Sequence, residues 1–127
     1  MARLFIVLAA FSGLLGVALG AFGAHALRDR FDEYAMSIFQ TAVQYQFYHS
    51  LGLLAVGMLC LLQPPSRLLL GSGVAFVLGL LVFCGSLYLL SFTGLRWLGA
   101  ITPLGGLAFM LGWLMLLIWA WGAVEQP

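Results

Sequence analysis

The sequence predicts an all-α integral membrane protein with four transmembrane helices packed as a bundle. Hydrophobic residues make up 64% of the 127 residues, and charged residues only 7%. Soluble domains carry about a quarter charged residues, so a soluble protein of this composition could not cover its surface with polar groups. Four long apolar runs separated by short polar segments account for residues 1–127 as a single four-span domain.

The first predicted helix covers residues 4–26, about 23 residues, which is enough to cross a hydrocarbon core of ~30 Å. Its cationic start also resembles a secretory signal. The apolar run is longer than the roughly 7–15 residues typical of a signal peptide, so we expect the helix to be retained. Ser12, Gly16 and Gly20 recur at every fourth position. Small residues allow helices to approach closely in lipid, so this spacing predicts a helix-packing face.

The second helix is predicted over residues 33–63, with Asp32 as its N-cap. At 1.5 Å per residue it is ~46 Å long, which exceeds the hydrocarbon thickness. The excess is expected at its start, where Phe31, Tyr34 and Ile38 recur at helical spacing beside a charged loop. This pattern predicts an extension of the helix into the membrane interface, anchored by aromatic residues.

Proline residues delimit the last two helices. Pro64 and Pro65 end the second helix, and Ser66 is a suitable N-cap for a third helix over residues 67–92. Thr102-Pro103 predicts the start of a fourth helix over residues 103–121, because proline is well tolerated at the first helical position. Further small-residue contacts between helices are expected at Gly71, Gly79 and Gly112.

Polar side chains are concentrated on one side of the predicted membrane. Four spans place the ends of the first and third helices and the starts of the second and fourth together. The candidate polar cluster at that side comprises His25, Gln44, Tyr45, Gln46, His49, Ser86, Tyr88 and Thr102. At helical rise, His49 and Ser86 lie at similar depth, ~12 and ~9 Å from that side, so we expect hydrogen bonds between the second and third helices.

Two interpretations of this cluster stay open. The side chains could join helices, or they could line a pocket for a ligand, a lipid headgroup or a proton. A metal or haem site is disfavoured, because His25 and His49 differ in depth by roughly 10 Å and no third ligand stands near them. No cofactor is therefore expected.

The sequence shows no arrangement that predicts catalysis. It contains neither a nucleophile beside a base nor paired carboxylates within a span. The absence of intramembrane carboxylates also argues against ion-coupled transport. The chain has no lysine and no dense basic patch, so nucleic acid is not an expected partner. Cys60 and Cys84 lie ~20–25 Å apart along the membrane normal in antiparallel neighbours, which predicts two free thiols.

Several short motifs together resemble those of a known family. They are Gly20-Ala-Phe-Gly-Ala-His25, Tyr45-Gln-Phe-Tyr-His49, Gly85-Ser-Leu-Tyr88, Thr102-Pro-Leu-Gly-Gly106 and Gly112-Trp113. The set is similar to family 423 among the domains of unknown function, small four-span proteins of bacterial inner membranes with relatives among eukaryotic small transmembrane proteins. The resemblance covers all four helices and implies a four-helix membrane fold. It implies no activity.

The expected function is that of a non-enzymatic interaction or accessory subunit of a larger membrane complex. Its expected partners are membrane lipids and either another protein or further copies of itself. The alternative is a small oligomeric transporter or channel with a polar pocket open to one side, and a redox or lipid-modifying enzyme is the least favoured. Orientation stays open, since Arg28, Arg30 and Arg96 oppose Arg3, Arg67 and the amino terminus.

Overall fold

The computed structural model describes residues 1–64 and 66–124, and within these residues it is helical apart from short turns. The helical segments, in chain order, are Ala2–Ala18, a π-helical turn Leu19–Gly23, Ala24–Leu27, Glu33–Leu62, Arg67–Gly79, a π-helical turn Leu80–Cys84, Gly85–Thr93, a 3-10 helix Arg96–Ala100, and Thr102–Val124. Pro65, part of the predicted turn, lies outside the described residues.

Four of these helical stretches are long and apolar enough to cross a membrane, which confirms the predicted fold class. They are referred to below as the first span (Ala2–Gly23), second span (Glu33–Leu62), third span (Arg67–Thr93) and fourth span (Arg96–Ala123). The membrane side that carries residues 28–32 and 94–101 is called the loop side. The predicted bounds agree to within a few residues, and the fourth helix continues beyond 121 because a single glycine at 122 does not end it.

Side-chain caps begin the second and third spans where the sequence indicated, and a glycine ends the third span. The Asp32 carboxylate accepts a hydrogen bond from the backbone N–H of Ala35 at 2.7 Å, and the Ser66 hydroxyl accepts one from Leu68 at 3.2 Å. The third span ends at Gly94, whose φ of +70° is a left-handed conformation that glycine adopts without steric cost. These caps satisfy backbone groups at the helix ends and fix where the helices begin and end.

The two π-helical turns were not predicted. They interrupt the first and third spans at Leu19–Gly23 and Leu80–Cys84. A π-helical turn changes the direction of the side chains that follow it along the helix. Nearly every position near these turns is apolar, so the hydrophobic pattern carries no visible change of phase that would indicate them.

The second and third spans form the centre of the molecule. The first span packs along the second, the second along the third, and the third along the fourth. In an apolar 18-residue stretch of each span, 39% of the residues are buried in the second and third spans. The corresponding share is 17% in the first and fourth spans. The shared core contains Phe5, Ala9, Leu53, Val56, Phe76, Cys84 and Phe109. Because lipid is as apolar as these side chains, close packing rather than burial from water stabilises their contacts.

Candidate functional site

Gln46 connects three spans. Its Nε2 donates a hydrogen bond to the carbonyl oxygen of Ser12 in the first span at 2.8 Å. Its Oε1 accepts a hydrogen bond from the hydroxyl of Tyr88 in the third span at 2.5 Å. The Gln46 side chain is 6% exposed. A buried amide that is bonded at both its donor and its acceptor end holds all three helices in register.

Two serines extend this arrangement. The Ser50 hydroxyl lies 2.7 Å from the hydroxyl of Ser12 and 2.6 Å from the carbonyl oxygen of Gln46, one turn earlier in its own helix. We call Ser12, Gln46, Ser50 and Tyr88 the Gln46 network. Gln46 and Ser50 are four residues apart in the second span, so they lie on one helical face.

His49 lies in an aromatic environment. Its side chain is 6% exposed, and its Nδ1 is 2.8 Å from the carbonyl oxygen of Tyr45 in the same helix. Its ring stacks on Phe109 of the fourth span, with centroids 3.5 Å apart and planes inclined by 13°. The rings of Phe76 and Trp113 lie 5.8 and 6.1 Å away. His49 therefore contacts the other spans through its ring faces and edges.

The hydrogen bond expected between His49 and the third span is not among those formed by the described residues. The second and third spans are joined instead by Gln46 and Tyr88. On the side of His49, the ring of Phe83 stacks on Tyr45 at 4.6 Å, and Phe109 covers the imidazole. Among the described residues, His49 therefore contacts the third and fourth spans through aromatic rings.

Ser86 and Thr102 form a separate pair between the third span and the start of the fourth. Their hydroxyl oxygens are 2.7 Å apart, and Ser86 also donates to the carbonyl oxygen of Phe83 at 3.0 Å. Ser72 makes a second link between the same spans, donating to the carbonyl oxygen of Gly112 at 2.7 Å. Hydroxyl groups thus hold the third and fourth spans together at two levels.

The eight predicted cluster residues therefore divide into separate groups. Gln46 and Tyr88 belong to the Gln46 network, His49 and Tyr45 to the aromatic environment, and Ser86 pairs with Thr102. His25 and Gln44 are exposed. Sequence reasoning missed Ser50 as a site residue and assigned Ser12 to packing alone. The four-residue spacing between Gln46 and Ser50, which places both on one helical face, could have identified Ser50.

The packing glycines lie against side chains of neighbouring spans. An added Cβ would meet Phe47 at Gly16 (3.1 Å), Val43 at Gly20 (3.1 Å), Met115 at Gly71 (2.7 Å), Phe109 at Gly79 and Phe76 at Gly112 (2.7 Å). Gly105 was not singled out from the sequence, and there an added Cβ would meet the backbone of Phe83. A backbone neighbour cannot move aside as a flexible side chain can, so this is the most restrictive of these positions.

The histidines, cysteines and acidic residues are dispersed in the part of the chain that the structure describes. There, no three His, Cys, Asp or Glu residues lie close enough together to hold an ion. His25 is exposed near the loop side, whereas His49 is buried among aromatic rings. Cys60 and Cys84 are both free, as their predicted separation requires.

A groove opens toward the lipid between the first and third spans, and we call it the lateral groove. Its volume is about 340 Å³. Leu53 and Gln46 of the second span form its floor. Its walls are Leu8, Phe11, Ser12, Leu15 and Leu19 on one side and Val77, Leu80, Leu81, Cys84, Gly85 and Tyr88 on the other.

Comparisons with known proteins agree with this architecture. A UPF0382 membrane protein of Staphylococcus haemolyticus is 46% identical over 116 residues, covering 91% of this chain and 93% of that protein. The UPF0382 membrane protein YwdK of Bacillus subtilis is 42% identical over 116 residues, covering 91% and 94%. No solved structure matches. Residues 19–106 match the model described as Protein of unknown function (DUF423), and the chain belongs to this family of membrane proteins.

Proposed function

We propose that the chain is a non-enzymatic accessory protein of the bacterial inner (plasma) membrane, which binds a larger membrane complex through the outer face of its second span. Its similarity to membrane proteins of Staphylococcus and Bacillus supports the bacterial membrane. The binding surface is suggested by the placement of polar side chains on the second span.

The observation that carries the proposal is a stripe of exposed polar side chains. Gln40, Gln44 and Tyr48 are each separated by four residues, so they lie on one face of the second span. All three are exposed, and none of the hydrogen bonds among the described residues involves their side chains. We call these three residues the polar stripe.

The polar stripe lies at a depth in the membrane where a polar side chain without a hydrogen-bond partner is costly. Val43, beside Gln44, packs against Gly20 of the first span, which lies about 12 Å along the helix from the charged loop at Arg28. An amide that faces hydrocarbon without a partner is costly, and polar side chains in spans commonly hydrogen-bond across to another helix. A polar helix of a partner protein would satisfy Gln44 and Tyr48 from outside.

The interior supports a non-enzymatic role. Within residues 1–64 and 66–124, every buried side-chain nitrogen or oxygen has a hydrogen-bond partner inside the chain. The buried polar groups are therefore engaged in joining helices, and no buried group stands ready to bind a substrate. The exposed side chains of the polar stripe, by contrast, make no hydrogen bond within the described residues.

Site-specific photocrosslinking in living bacteria tests the proposal. A photoreactive amino acid would replace Gln44 in the polar stripe or, as the matched control, Leu117, which faces outward from the fourth span with 62% exposure. We expect a discrete adduct with another membrane protein from position 44 and none from 117. Loss of that adduct after Gln40→Leu and Tyr48→Phe would link it to the stripe, whereas no adduct at position 44 would contradict the proposal.

The same experiment distinguishes the alternative, a small oligomeric transporter. An adduct of twice the chain's own mass would place polar stripes of two copies against each other. Facing polar stripes are the arrangement that a polar path through an oligomer requires. A flux assay in vesicles would then be the deciding measurement, with the Gln40→Leu and Gln44→Leu double variant as control.

A further inference from the structure

The lateral groove is suited to an apolar occupant. Its polar lining groups are already bonded, because Gln46 donates to the Ser12 carbonyl and accepts from the Tyr88 hydroxyl. A polar ligand would have to break these bonds, whereas a hydrocarbon chain would leave them intact. A volume of about 340 Å³ is within the usual range of small-molecule sites.

The groove walls favour a thin chain over a helix. Helices that associate in lipid approach through small residues. In the first span, Gly16 and Gly20 face the second span and pack on Phe47 and Val43. The groove walls carry mostly large side chains, five leucines with Phe11, Val77 and Tyr88, and their small residues are Ser12, Cys84 and Gly85. Branched side chains keep a helix backbone at a distance but accommodate a flexible hydrocarbon chain.

The length of the groove matches one lipid leaflet. Its lining begins at Val77 and reaches Tyr88, and the exposed ring of Phe92 lies one turn further toward the loop side. Val77 to Tyr88 corresponds to about 16 Å at helical rise. The hydrocarbon core of a bilayer is about 30 Å thick, so this distance is close to the hydrocarbon depth of one leaflet.

Cationic side chains lie on the loop side of the membrane, beyond the Tyr88 end of the groove. Above Tyr88, the ring of Phe39 contacts Phe92, which in turn contacts Phe31 with centroids 5.1 Å apart. Phe31 and Phe92 also border a recess of about 400 Å³ that is lined by Arg30 and Arg96. We call it the arginine recess.

The arginine recess has an excess of positive charge. Among the described residues, neither guanidinium is part of a hydrogen bond or an ion pair. Asp32 is the acidic residue of the recess, and its carboxylate caps the second span through the N–H of Ala35. Basic pockets between transmembrane helices bind anionic lipid headgroups, and two arginines opposed by one carboxylate complement a phosphate.

We propose that the chain binds one anionic phospholipid of the loop-side leaflet, with an acyl chain in the lateral groove and the phosphate in the arginine recess. The residues that line this site come from the first three spans and from the loop side, and none of them belongs to the polar stripe. The lipid would fill the space between two spans that the chain's own side chains leave open. It would thereby stabilise the first span against the third.

Native mass spectrometry of the full chain, released from nanodiscs of phosphatidylglycerol and phosphatidylcholine, tests this site. Gly85→Leu places a side chain in the groove, and an added Cβ at Gly85 meets no atom within 4 Å. Gly13→Leu is the matched control, since Gly13 is equally open but does not line the groove. We expect the parent and Gly13→Leu to retain one phosphatidylglycerol, and Gly85→Leu to lose roughly tenfold in affinity.

The arginines are tested in the same way. Arg30→Gln and Arg96→Gln should each lower phosphatidylglycerol affinity about fivefold, while Arg67→Gln on the opposite side of the membrane leaves it unchanged. Leu81→Phe fills the groove with a larger side chain. Because Leu81 is 68% exposed, this substitution should leave the fold intact, so a loss of affinity would report on the groove itself. Equal lipid retention by the parent, Gly85→Leu and Leu81→Phe would overturn the proposal. A parent that retains no phosphatidylglycerol would also overturn it. Neither result bears on the polar stripe.

Discussion

His49 and Phe109 stack face to face, with ring centroids 3.5 Å apart and planes inclined by 13°. This contact joins the second span to the fourth, although Phe109 and His49 are far apart in the chain. A histidine within a transmembrane span usually indicates proton or ligand handling. Here the surrounding rings of Tyr45, Phe76 and Trp113 give it a packing role that an aromatic hydrocarbon side chain could share.

Replacing His49 should therefore separate ring packing from hydrogen bonding. His49→Phe keeps the stack and loses the bond to the Tyr45 carbonyl, at a cost of at most about 1.5 kcal/mol. His49→Gln keeps a polar side chain but loses the stack, at about 1–3 kcal/mol. Unfolding of both variants in mixed detergent micelles, followed by circular dichroism, measures the difference. A glutamine variant more stable than the phenylalanine variant would show that the hydrogen bond matters more than the ring.

The cysteines should differ in accessibility and remain unlinked. Cys84 is 2% exposed in the core, whereas Cys60 is half-buried near the end of the second span. We expect a small maleimide to modify Cys60 in detergent well before Cys84, and we expect no intramolecular disulfide after mild oxidation. Mass spectrometry of tryptic peptides reports both results. Faster labelling of Cys84 would mean that the core opens, and a Cys60–Cys84 peptide would contradict the helix arrangement.

The fold was predictable because the bilayer restricts what a chain of this composition can do. Every backbone polar group must be satisfied within the membrane, so long apolar runs become helices. The prolines and the Asp32 and Ser66 caps indicate where the helices end and begin, and the structure confirms both caps. The π-helical turns at Leu19–Gly23 and Leu80–Cys84 were beyond reach, because a shift of phase is invisible where all faces are apolar.

The polar residues were predictable as a set, but their pairing was not. Depth along the membrane normal follows from helical rise, which is how Ser86 and Tyr88 were placed near His49. Direction around each helix depends on packing. Gln46 and His49 are three residues apart, yet one faces Ser12 of the first span and the other Phe109 of the fourth. An angular difference of this kind follows only from knowing which neighbour lies on which side.

Glycine substitutions should report the closest helix approach. An added Cβ at Gly105 would overlap the backbone of Phe83, so Gly105→Ala should destabilise the protein by about 1–3 kcal/mol. At Gly13 nothing lies within 4 Å, so Gly13→Ala should be neutral or stabilise the helix by about 0.5–1 kcal/mol. Detergent unfolding of the two variants side by side measures this. Equal stabilities would mean that the third and fourth spans are further apart at this level.

The hydrogen bond between Gln46 and Tyr88 should appear as an energetic coupling. Gln46→Leu also removes the donor to the Ser12 carbonyl, so it should destabilise the protein more than Tyr88→Phe, which leaves that contact in place. In the double variant, part of the two losses is shared, because each single change already breaks the same bond. We expect a coupling of about 0.6 kcal/mol, and not more than ~1.7, the range found for such bonds in membranes. Ser72→Ala combined with Tyr88→Phe is the control pair, because Ser72 bonds the Gly112 carbonyl and lies about 24 Å from Tyr88 along the third span, so its effects should simply add. Strict additivity for Gln46→Leu and Tyr88→Phe would show that the amide and the phenol do not bond in the membrane, and that the second and third spans are held by packing alone.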